Sequence, residues 1–373
     1  MALRVMVLNV DVGAGHRRAG EALCQAMATL RPDTQFRTVE ALEYLGAGGG
    51  KLARDLYLGV QRSVPDLWGA IYEQRELFDL FRPLSRLVDG LRAESLLPVA
   101  LRFNPHLMLA THPLACGLGA ALRRGGELVA PLAAVLTDLD GHPAWVVEGV
   151  DLYLASTAEA ARQLRRHGAP ADTVVDSGIP LRQAFSNVER NAQAVRATLG
   201  LPKERFTVLL LGGGLGLGPI LETAEALVGI EGPLQLVLIA GANQELEQGG
   251  RRLAQRSPGR LHVTGLVENM ADYMAAADLA VGKPGGMTCA ELLALGIPLL
   301  ALRPLAGQEE ANCSVLVQAG AAVRVDDAGE TGVALQGLLR HPPRLQAMRL
   351  AAARLGRPGA ARTAARRLLA LAG

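Results

Sequence analysis

The sequence is poor in lysine, aromatic residues and cysteine, and it contains no long apolar run. Its 373 residues include three lysines, 13 aromatic residues and four cysteines, and its formal net charge is only +2. So small an excess of positive charge does not predict a nucleic-acid partner. The widely spaced cysteines form no Cys-x-x-Cys pair, which argues against a zinc cluster and favours a reducing cytoplasm. No run of about 18 apolar residues occurs, so we expect no membrane-spanning segment.

Short apolar segments recur along the chain and alternate with segments of helical character. Half of the residues are apolar and 20% are charged, a composition typical of folded globular proteins. The segments are unbroken rather than alternating with polar residues, which predicts parallel strands buried on both faces. Residues 4–10 are predicted as the first strand rather than as part of a signal peptide. The other predicted strands are residues 107–110, 132–136, 152–155, 207–211, 234–240, 261–263, 279–281 and 298–302.

This alternation of strands and helices predicts an α/β protein with two doubly wound domains. A chain of 373 residues exceeds the size at which one hydrophobic core usually keeps growing. The pattern is lost in the segment DSGIPLRQAFSNVERN, so we place the boundary near residue 185. The predicted domains are residues 1–185 and 186–355, and residues 356–373 form a basic helix that packs back on the first domain. Ligands of open α/β sheets bind at the carboxyl ends of the strands, where two facing domains enclose a cleft.

Two segments have a composition that fits contact with lipid. After Glu330 there is no acidic residue, but eight arginines follow among leucines and alanines. This tail is either a solvated helix face or a contact with anionic lipid head groups. Six of the 13 aromatic residues, Trp68 among them, lie between Tyr44 and Phe81, interspersed with arginines. That segment is either a membrane-facing or lipid-binding surface or a pair of ordinary amphipathic helices packed on the sheet.

The first motif is GAGH at residues 13–16, directly after the first predicted strand. Glycines allow a tight turn and a close backbone approach to a ligand, and His16 at a helix start could serve as a base or a donor. The motif is not a dinucleotide fingerprint, because Arg18 stands where the third glycine belongs. The alternative interpretation is a strand-to-helix turn with an incidental histidine.

The second motif is TDLDGHPAW at residues 137–145, at the predicted end of a strand. Two carboxylates, an imidazole and an indole gather there, in the place where ligands of such sheets bind. Asp138 or Asp140 could hold or deprotonate a hydroxyl group. In the alternative interpretation the aspartates cap a turn and Trp145 packs in the core.

The third motif is a run of glycines, GGGLGLG, at residues 212–218. A glycine-rich turn that leads into a helix presents backbone N–H groups to an anion, typically a phosphate. The sequence lacks the G-x-x-x-x-G-K-[ST] pattern of a P-loop. The next strand is followed by Gly-Ala-Asn without an acid for a ribose diol, so a nicotinamide or flavin dinucleotide is not expected.

The fourth motif is KPGGMTCAE at residues 283–291, again a strand, a glycine turn and a helix. Its turn frees N–H groups for a phosphate, and Glu291 could accept hydrogen bonds from a ribose diol. Lys283 is one of only three lysines in the chain, which favours a specific role over that of a solvated side chain beside a capped helix.

The fifth motif is GQEEAN at residues 307–312, just past a predicted strand. Its amides and carboxylates suit a polyhydroxyl ligand, whose alcohols need donors and acceptors in fixed places. The alternative is simple capping of the helix that follows.

Together, the five segments resemble the family 28-type glycosyltransferases that include monogalactosyldiacylglycerol synthases and bacterial processive diacylglycerol glucosyltransferases. The segments GIPLR and GLVENM also match, and the resemblance covers nearly the whole chain. It implies the GT-B fold, in which two Rossmann-like doubly wound domains face each other across a cleft. Residues 1–185 are then the acceptor (lipid) domain, and residues 186–355 the UDP-sugar donor domain.

The resemblance implies an enzyme that transfers glucose or galactose from a UDP-sugar to diacylglycerol with inversion, making a membrane glycolipid. No cofactor and no obligatory metal in the donor site are expected. The protein would be cytoplasmic and peripheral, bound to the anionic inner face of the cell membrane. Two alternatives are a transferase for a polyprenyl-linked or other hydrophobic acceptor, and a non-catalytic UDP-sugar sensor. Neither the choice of hexose nor an oligomeric state follows from the sequence.

The resemblance also assigns roles to individual residues. His16 and then Asp138 are the candidates for the catalytic base. Glycines 213 and 214 and the turn 285–288 would bind the diphosphate, Lys283 would stabilise the leaving UDP, and the backbone of residues 266–267 would bind the uracil. The implied donor-binding residues are Gly213, Gly214, Leu266, Val267, Lys283, Gly285, Gly286, Met287, Thr288, Glu291, Gln308, Glu309 and Asn312. The implied acceptor-binding residues are Gly15, His142, Trp145 and Trp68, and no metal ligand is implied.

Overall fold

A computed structural model describes residues 2–10, 14–44, 90, 93–189 and 191–373. These residues form two compact units. The first unit contains the described residues up to Gln183 together with Ala306–Gln308 and Gly359–Gly373. The second contains the described residues of Ala184–Leu305 and Glu309–Pro358.

The first unit is built on a six-stranded parallel sheet in the order β2-β1-β3-β4-β5-β6. Its strands are β1 (Arg4–Asn9), β2 (Gln35–Glu40), β3 (Leu107–Ala110), β4 (Leu132–Val135), β5 (Leu152–Ala155) and β6 (Val174–Asp176). The side chains of β1 alternate between two cores, since Met6 and Leu8 pack on one face of the sheet and Val5 and Val7 on the other. Burial on both faces explains why the central strands are apolar throughout.

Helices follow the strands of this first sheet, and polar caps start several of them. They are α1 (Ala14–Leu30), α2 (residues 93–103), α3 (Pro113–Arg124) and α4 (Ala158–Arg166). Short 3₁₀ helices lie at Ala41–Tyr44, Pro143–Trp145 and Ala171–Thr173. Helix α4 begins where the Thr157 hydroxyl accepts a hydrogen bond from the N–H of Ala160, which satisfies one of the free donors of the first turn.

The second unit repeats the same architecture, with a parallel sheet in the order β12-β11-β10-β7-β8-β9. Its strands are β7 (Phe206–Leu211), β8 (Leu234–Ile239), β9 (Leu261–Thr264), β10 (Leu279–Gly282), β11 (Leu299–Leu302) and β12 (Ala322–Val325). Its helices are α5 (Ala184–Asn187), α6 (Ala192–Thr198), α7 (Ile220–Val228), α8 (Gln244–Arg256), α9 (Met270–Ala275), α10 (Gly286–Leu295), α11 (Gln308–Gln318), α12 (Ala328–Arg340) and α13 (Pro342–Leu355).

The two parallel sheets confirm the predicted α/β class, and all nine predicted strands are present within a residue or two. The prediction missed three of the four edge strands, β2, β6 and β12, and included the fourth, β9. An edge strand faces solvent along one side and carries polar residues, as in QFRTVE of β2. Such a strand lacks the unbroken apolar run that marks a central strand.

The last helix, α14 (Ala360–Leu371), packs in the first unit. Ala364, Ala365 and Leu368 are fully buried in a core shared with β1 and α1. The opposite face of α14 exposes three arginines, Arg362, Arg366 and Arg367. In the part of the chain that the structure describes, no helix is both long and apolar enough to cross a bilayer.

One half-buried carboxylate joins several elements of the second unit. Asp278 precedes β10, and its Oδ2 accepts hydrogen bonds from Arg196 Nη2 at 2.6 Å and from the N–H of Thr207 at 2.8 Å. Its Oδ1 accepts a hydrogen bond from Arg349 Nη2 at 2.5 Å. The Arg196 side chain is only 6% exposed. This cluster therefore ties α6, β7 and α13 to the start of β10.

Replacing Asp278 with alanine should destabilise the second unit by about 3 kcal/mol, because the buried Arg196 guanidinium then loses its counter-ion. Urea denaturation followed by circular dichroism measures this change. Asp33→Ala is the matched control, since Asp33 pairs with Arg31 on the surface and is 53% exposed. Its effect should be at most about 0.5 kcal/mol. Equal effects of the two substitutions would contradict the structural role of Asp278.

Candidate active site

Polar residues follow three neighbouring strands of the first sheet at the edge where those strands end. His16 lies in the first turn of α1, after β1. Thr111 and His112 follow β3, and Thr137 follows β4 shortly before Asp138. Strands β1, β3 and β4 are adjacent and parallel, so their carboxyl ends meet at one edge of the sheet. Residues far apart in the sequence are therefore brought together there.

His16 is at the centre of this group. Its Nδ1 atom lies 2.8 Å from the carbonyl oxygen of Thr111 and 2.9 Å from the Thr137 hydroxyl. Its ring meets that of His112 edge-on, with 4.6 Å between the ring centroids. Burial lowers the pKa of His16 below its ordinary value, and the hydrogen bond with Thr111 only partly opposes that shift. The ring is therefore neutral near pH 7.

Two other histidines at this edge act as helix caps. His112 Nδ1 accepts a hydrogen bond from the N–H of Leu114 at the start of α3, at 3.1 Å. His142 Nδ1 accepts one from the N–H of Ala144 at the start of the 3₁₀ helix, also at 3.1 Å. Both side chains are buried. The turn in the second motif is thus capped by His142, and its Nδ1 atom is not available to an acceptor molecule.

The remaining residues of the second motif are placed differently from one another. Asp138 and Asp140 are half-buried, and burial raises the pKa of Asp140 while a hydrogen bond with Gln163 opposes that shift. Trp145 is 2% exposed and belongs to the core of the first unit. This position favours the alternative in which Trp145 is a core residue over its assignment to the acceptor.

Not every acceptor-side residue can be placed. Gly15 is half-buried in the first turn of α1. Gly13, Trp68 and most of the aromatic segment lie outside the described residues. Among the residues that are described, no group of three or more His, Cys, Asp or Glu side chains is arranged to hold a metal ion.

In the second unit, the glycine run after β7 forms a loop that folds back on itself. The N–H of Leu217 donates to the carbonyl of Gly212 at 2.8 Å, and that of Gly216 donates to the carbonyl of Gly213 at 3.1 Å. The Asn243 side chain donates to the Gly216 carbonyl at 2.9 Å, which fixes the loop to the end of β8. Gly213 and Gly214 are exposed. These two glycines therefore belong to the exposed part of the loop, which also includes Leu215, Leu217 and Gly218.

The KPGG turn lies after β10, which is the neighbour of β7 in the sheet. Helix α10 begins at Gly286, so the N–H groups of Gly286, Met287 and Thr288 belong to the first turn, where a helix lacks internal acceptors. The Lys283 ammonium lies 3.9 Å from Glu309 Oε2. The side chain of Lys283 also lies beside the glycine loop, since a Cβ atom built at Gly218 would be 3.5 Å from Lys283 Cε. Lys283 thus adds positive charge between the two glycine turns.

The carboxylates and amides predicted for the sugar and ribose are largely engaged within the protein. Glu291 is 3% exposed and Asn312 is 1% exposed. Asn312 Nδ2 donates to the carbonyl of Pro284 at 3.1 Å, so this side chain holds the KPGG turn. Glu309 Oε2 accepts a hydrogen bond from the N–H of Leu305 at 2.9 Å. Gln308 is half-buried and begins α11.

The two residues predicted to bind uracil follow β9. Leu266 is 69% exposed, and Val267 is half-buried. Because β9 is the third strand from β10 through β7 and β8, these residues lie at the same carboxyl edge as both glycine turns.

The sequence analysis did not identify Thr111 and His112 of the first unit as site residues. Both are polar residues directly after a predicted buried strand, which is a usable signal.

The conformation of the glycine loop generates a stability prediction. Gly216 has φ +60°, and a Cβ atom there would overlap the carbonyl oxygen of Ala240. Gly216→Ala should lower the free energy of unfolding by about 2 kcal/mol, since both strain and overlap are introduced. At Gly214 a Cβ atom meets nothing within 4 Å, so Gly214→Ala should change stability by less than about 0.5 kcal/mol. Thermal and urea unfolding of both variants measure the difference, and a tolerant Gly216 would contradict this loop conformation.

Comparison with known proteins places both halves of the chain in related families. Residues 16–181 match the model of monogalactosyldiacylglycerol synthase, and residues 207–361 match that of the glycosyltransferase family 28 C-terminal domain. The processive diacylglycerol beta-glucosyltransferase of Bacillus cereus strain AH187 is 30% identical over 256 residues. That match covers 68% of this chain, and the chain spans 65% of the length of that relative.

Solved structures resemble the chain over nearly its whole length. MurG of Acinetobacter baumannii superposes with a TM-score of 0.67 at 17% identity, and the match covers 99% of each chain. UDP-GlcNAc 2-epimerase of Neisseria meningitidis, bound to UDP-GlcNAc, gives a TM-score of 0.64 at 14% identity, covering 99% of this chain and all of that one. At such identities the likeness concerns the fold alone, which is GT-B. With both halves matched, the chain belongs to the glycosyltransferase family that contains monogalactosyldiacylglycerol synthases and processive diacylglycerol glucosyltransferases.

Proposed function

We propose that this protein is an inverting glycosyltransferase that moves a hexose from a UDP-sugar to diacylglycerol and so makes a membrane glycolipid. The observation that carries the proposal is the match of the first half to a lipid galactosyltransferase model and of the second to a family 28 domain. The Bacillus relative is named a beta-glucosyltransferase, so UDP-glucose is the first donor to test and UDP-galactose the second.

The donor is proposed to bind in the second unit. The exposed Gly213 and Gly214 and the first-turn N–H groups of α10 would hold the diphosphate, because free N–H groups and the helix dipole attract an anion. Lys283 would add a positive charge as the leaving UDP becomes more negative. The proposal assigns this stabilisation to protein groups rather than to a metal. Residues 266–267 would contact the uracil, and Glu291 the ribose.

His16 is proposed as the base that removes the proton from the acceptor hydroxyl. Inversion requires a single displacement, in which the hydroxyl oxygen bonds to the anomeric carbon as the bond to UDP breaks and UDP leaves with the electron pair. A base must be unprotonated beforehand, and the lowered pKa keeps His16 neutral. His112 and His142 use their Nδ1 atoms as caps, which favours His16 among the three. Asp138 remains the second candidate.

A direct assay tests the proposal. Purified protein is incubated with diacylglycerol in anionic liposomes and with UDP-glucose, UDP-galactose or UDP-N-acetylglucosamine in turn, and lipid products are identified by mass. We expect hexosyl-diacylglycerol from one donor. His16→Ala should lower kcat by about 100-fold or more, because general-base catalysis typically contributes that much. Its dissociation constant for UDP should stay within about twofold, because the proposed UDP contacts all lie in the second unit.

The control for this assay is His341→Ala, since His341 is exposed near the end of α12 and is not part of the proposed site. It should leave kcat unchanged. UDP binding without any product would favour the sensor alternative, and a product only with a polyprenyl-linked lipid would change the acceptor. Rearrangement of the sugar without an acceptor would replace the transferase by an epimerase.

The same proposal places the protein on the inner face of the cell membrane, with the arginines of α14 against anionic lipid. Replacing Arg362, Arg366 and Arg367 together with glutamine should weaken binding to anionic liposomes by about 10-fold or more, because each basic residue near such a surface contributes about 1 kcal/mol. Sedimentation with anionic and with neutral liposomes measures the change.

The matched control replaces three exposed arginines of the second unit, Arg340, Arg344 and Arg354, together with glutamine. It removes the same charge, so a general charge effect would weaken binding equally in both triple variants. Equal weakening, or wild-type protein that binds neutral and anionic liposomes alike, would contradict a specific role of α14.

A further inference from the structure

The position of the proton on His16 follows from the two oxygens beside its Nδ1 atom. The Thr111 carbonyl oxygen lies 2.8 Å away and the Thr137 hydroxyl 2.9 Å away. A carbonyl can only accept a hydrogen bond. If Nδ1 carried a lone pair, it would face the lone pairs of that carbonyl at 2.8 Å, which is repulsive. Nδ1 therefore carries the proton, and the Thr137 hydroxyl is its second acceptor.

Both oxygens belong to buried, fixed residues. Thr111 is fully buried, and its hydroxyl donates to Asn9 Oδ1 at 2.8 Å. Asn9 is the last residue of β1 and is itself 5% exposed. Thr137 is 3% exposed. The imidazole is thus held at Nδ1 by two residues that follow the adjacent strands β3 and β4, and Asn9 of β1 in turn holds one of them.

We propose that Thr137, together with the Thr111 carbonyl, is a positioning residue that keeps His16 in the Nδ1–H form, so that the lone pair on Nε2 faces the proton to be removed. This inference rests on the proposed role of His16 as the base. When Nε2 takes the acceptor proton, the ring becomes a cation, and hydrogen bonds from its Nδ1–H to two oxygens become stronger. The pair of oxygens therefore stabilises the protonated ring that forms during transfer.

The neighbouring His112 provides an internal comparison. Its Nδ1 accepts the N–H of Leu114, so in the neutral ring its proton is on Nε2. The two rings lie 4.6 Å apart and are held in opposite tautomers. Their nitrogen signals should therefore differ in a defined way in one spectrum of the resting protein.

Nuclear magnetic resonance of protein labelled with ¹⁵N in histidine tests the inference without turnover. Signals of His16 and His112 are assigned from the spectra of His16→Gln and His112→Gln. At pH 7.5 we expect protonated Nδ1 on His16 and protonated Nε2 on His112. Protonated Nε2 on His16 in the wild-type protein would overturn the inference, whatever the variants do.

Thr137→Val removes the hydroxyl and keeps the shape of the side chain. We expect His16 to keep its proton on Nδ1, because the Thr111 carbonyl remains, but we expect a shifted Nδ1 signal and a kcat about 10-fold lower, which is the effect of losing one hydrogen bond. KM for UDP-glucose should stay within about twofold, and Thr137→Ser should restore both the spectrum and kcat. A wild-type spectrum and kcat in Thr137→Val would overturn the role of Thr137.

The control is Thr207→Val, which removes a buried hydroxyl from β7 of the second unit. It should leave the His16 signals unchanged, whereas a change equal to that of Thr137→Val would overturn the specific role of Thr137. Loss of the proposed base and loss of the positioning role give different results. Full activity in His16→Gln with the expected tautomer in wild type would remove the proposed base but leave the positioning intact. An inactive His16→Gln together with wild-type spectrum and kcat in Thr137→Val would support His16 as the base but remove the positioning role of Thr137.

Discussion

Parallel pairing of strands buried on both faces is the constraint on which the rest of the structure depends. It favours apolar residues inside the central strands, so most polar side chains lie where a strand ends. It also points all strands of a sheet the same way, so those ends share one edge. For this reason the carboxyl edge of the first sheet carries the histidine and threonines of that unit. The carboxyl edge of the second sheet carries the two glycine turns. The polar residues at the strand ends are thus kept apart from the apolar core, because all strands of a sheet run in the same direction.

The central strands could be predicted from the sequence because burial leaves an unbroken apolar run, whereas β2, β6 and β12 could not, because edge strands carry polar residues. For the site, His16 stood out beside its glycines. Thr111 directly follows a predicted strand and Thr137 lies in the second motif, but their contacts with His16 could not be predicted, since those contacts depend on β1, β3 and β4 being neighbours and no local segment determines the strand order. Trp145 was assigned to the acceptor, but a large ring beside a turn can equally fill the core beneath it, as it does here.

The two units use their strand ends differently. In the first unit, side chains hold the imidazole of His16. The neighbouring His112 instead caps the start of α3. In the second, the backbone itself is presented, and side chains such as Asn312 and Asn243 hold the turns in place. Rigid turns suit an anion, whose binding needs several N–H groups at fixed distances. A single oriented ring suits proton transfer, which needs one lone pair in one direction.

The helix α14 has a consequence for how the chain folds. Ala364, Ala365 and Leu368 fill the same core as Val5 and Leu23, although more than three hundred residues separate them in sequence. On the ribosome the first unit therefore emerges with an open apolar face that stays uncovered while the whole second unit is synthesised. The second unit does not depend on a distant segment in this way, since its strands and their covering helices are contiguous apart from residues 306–308. The core of the first unit is thus complete only after residues 359–373 have been synthesised and this short helix has docked.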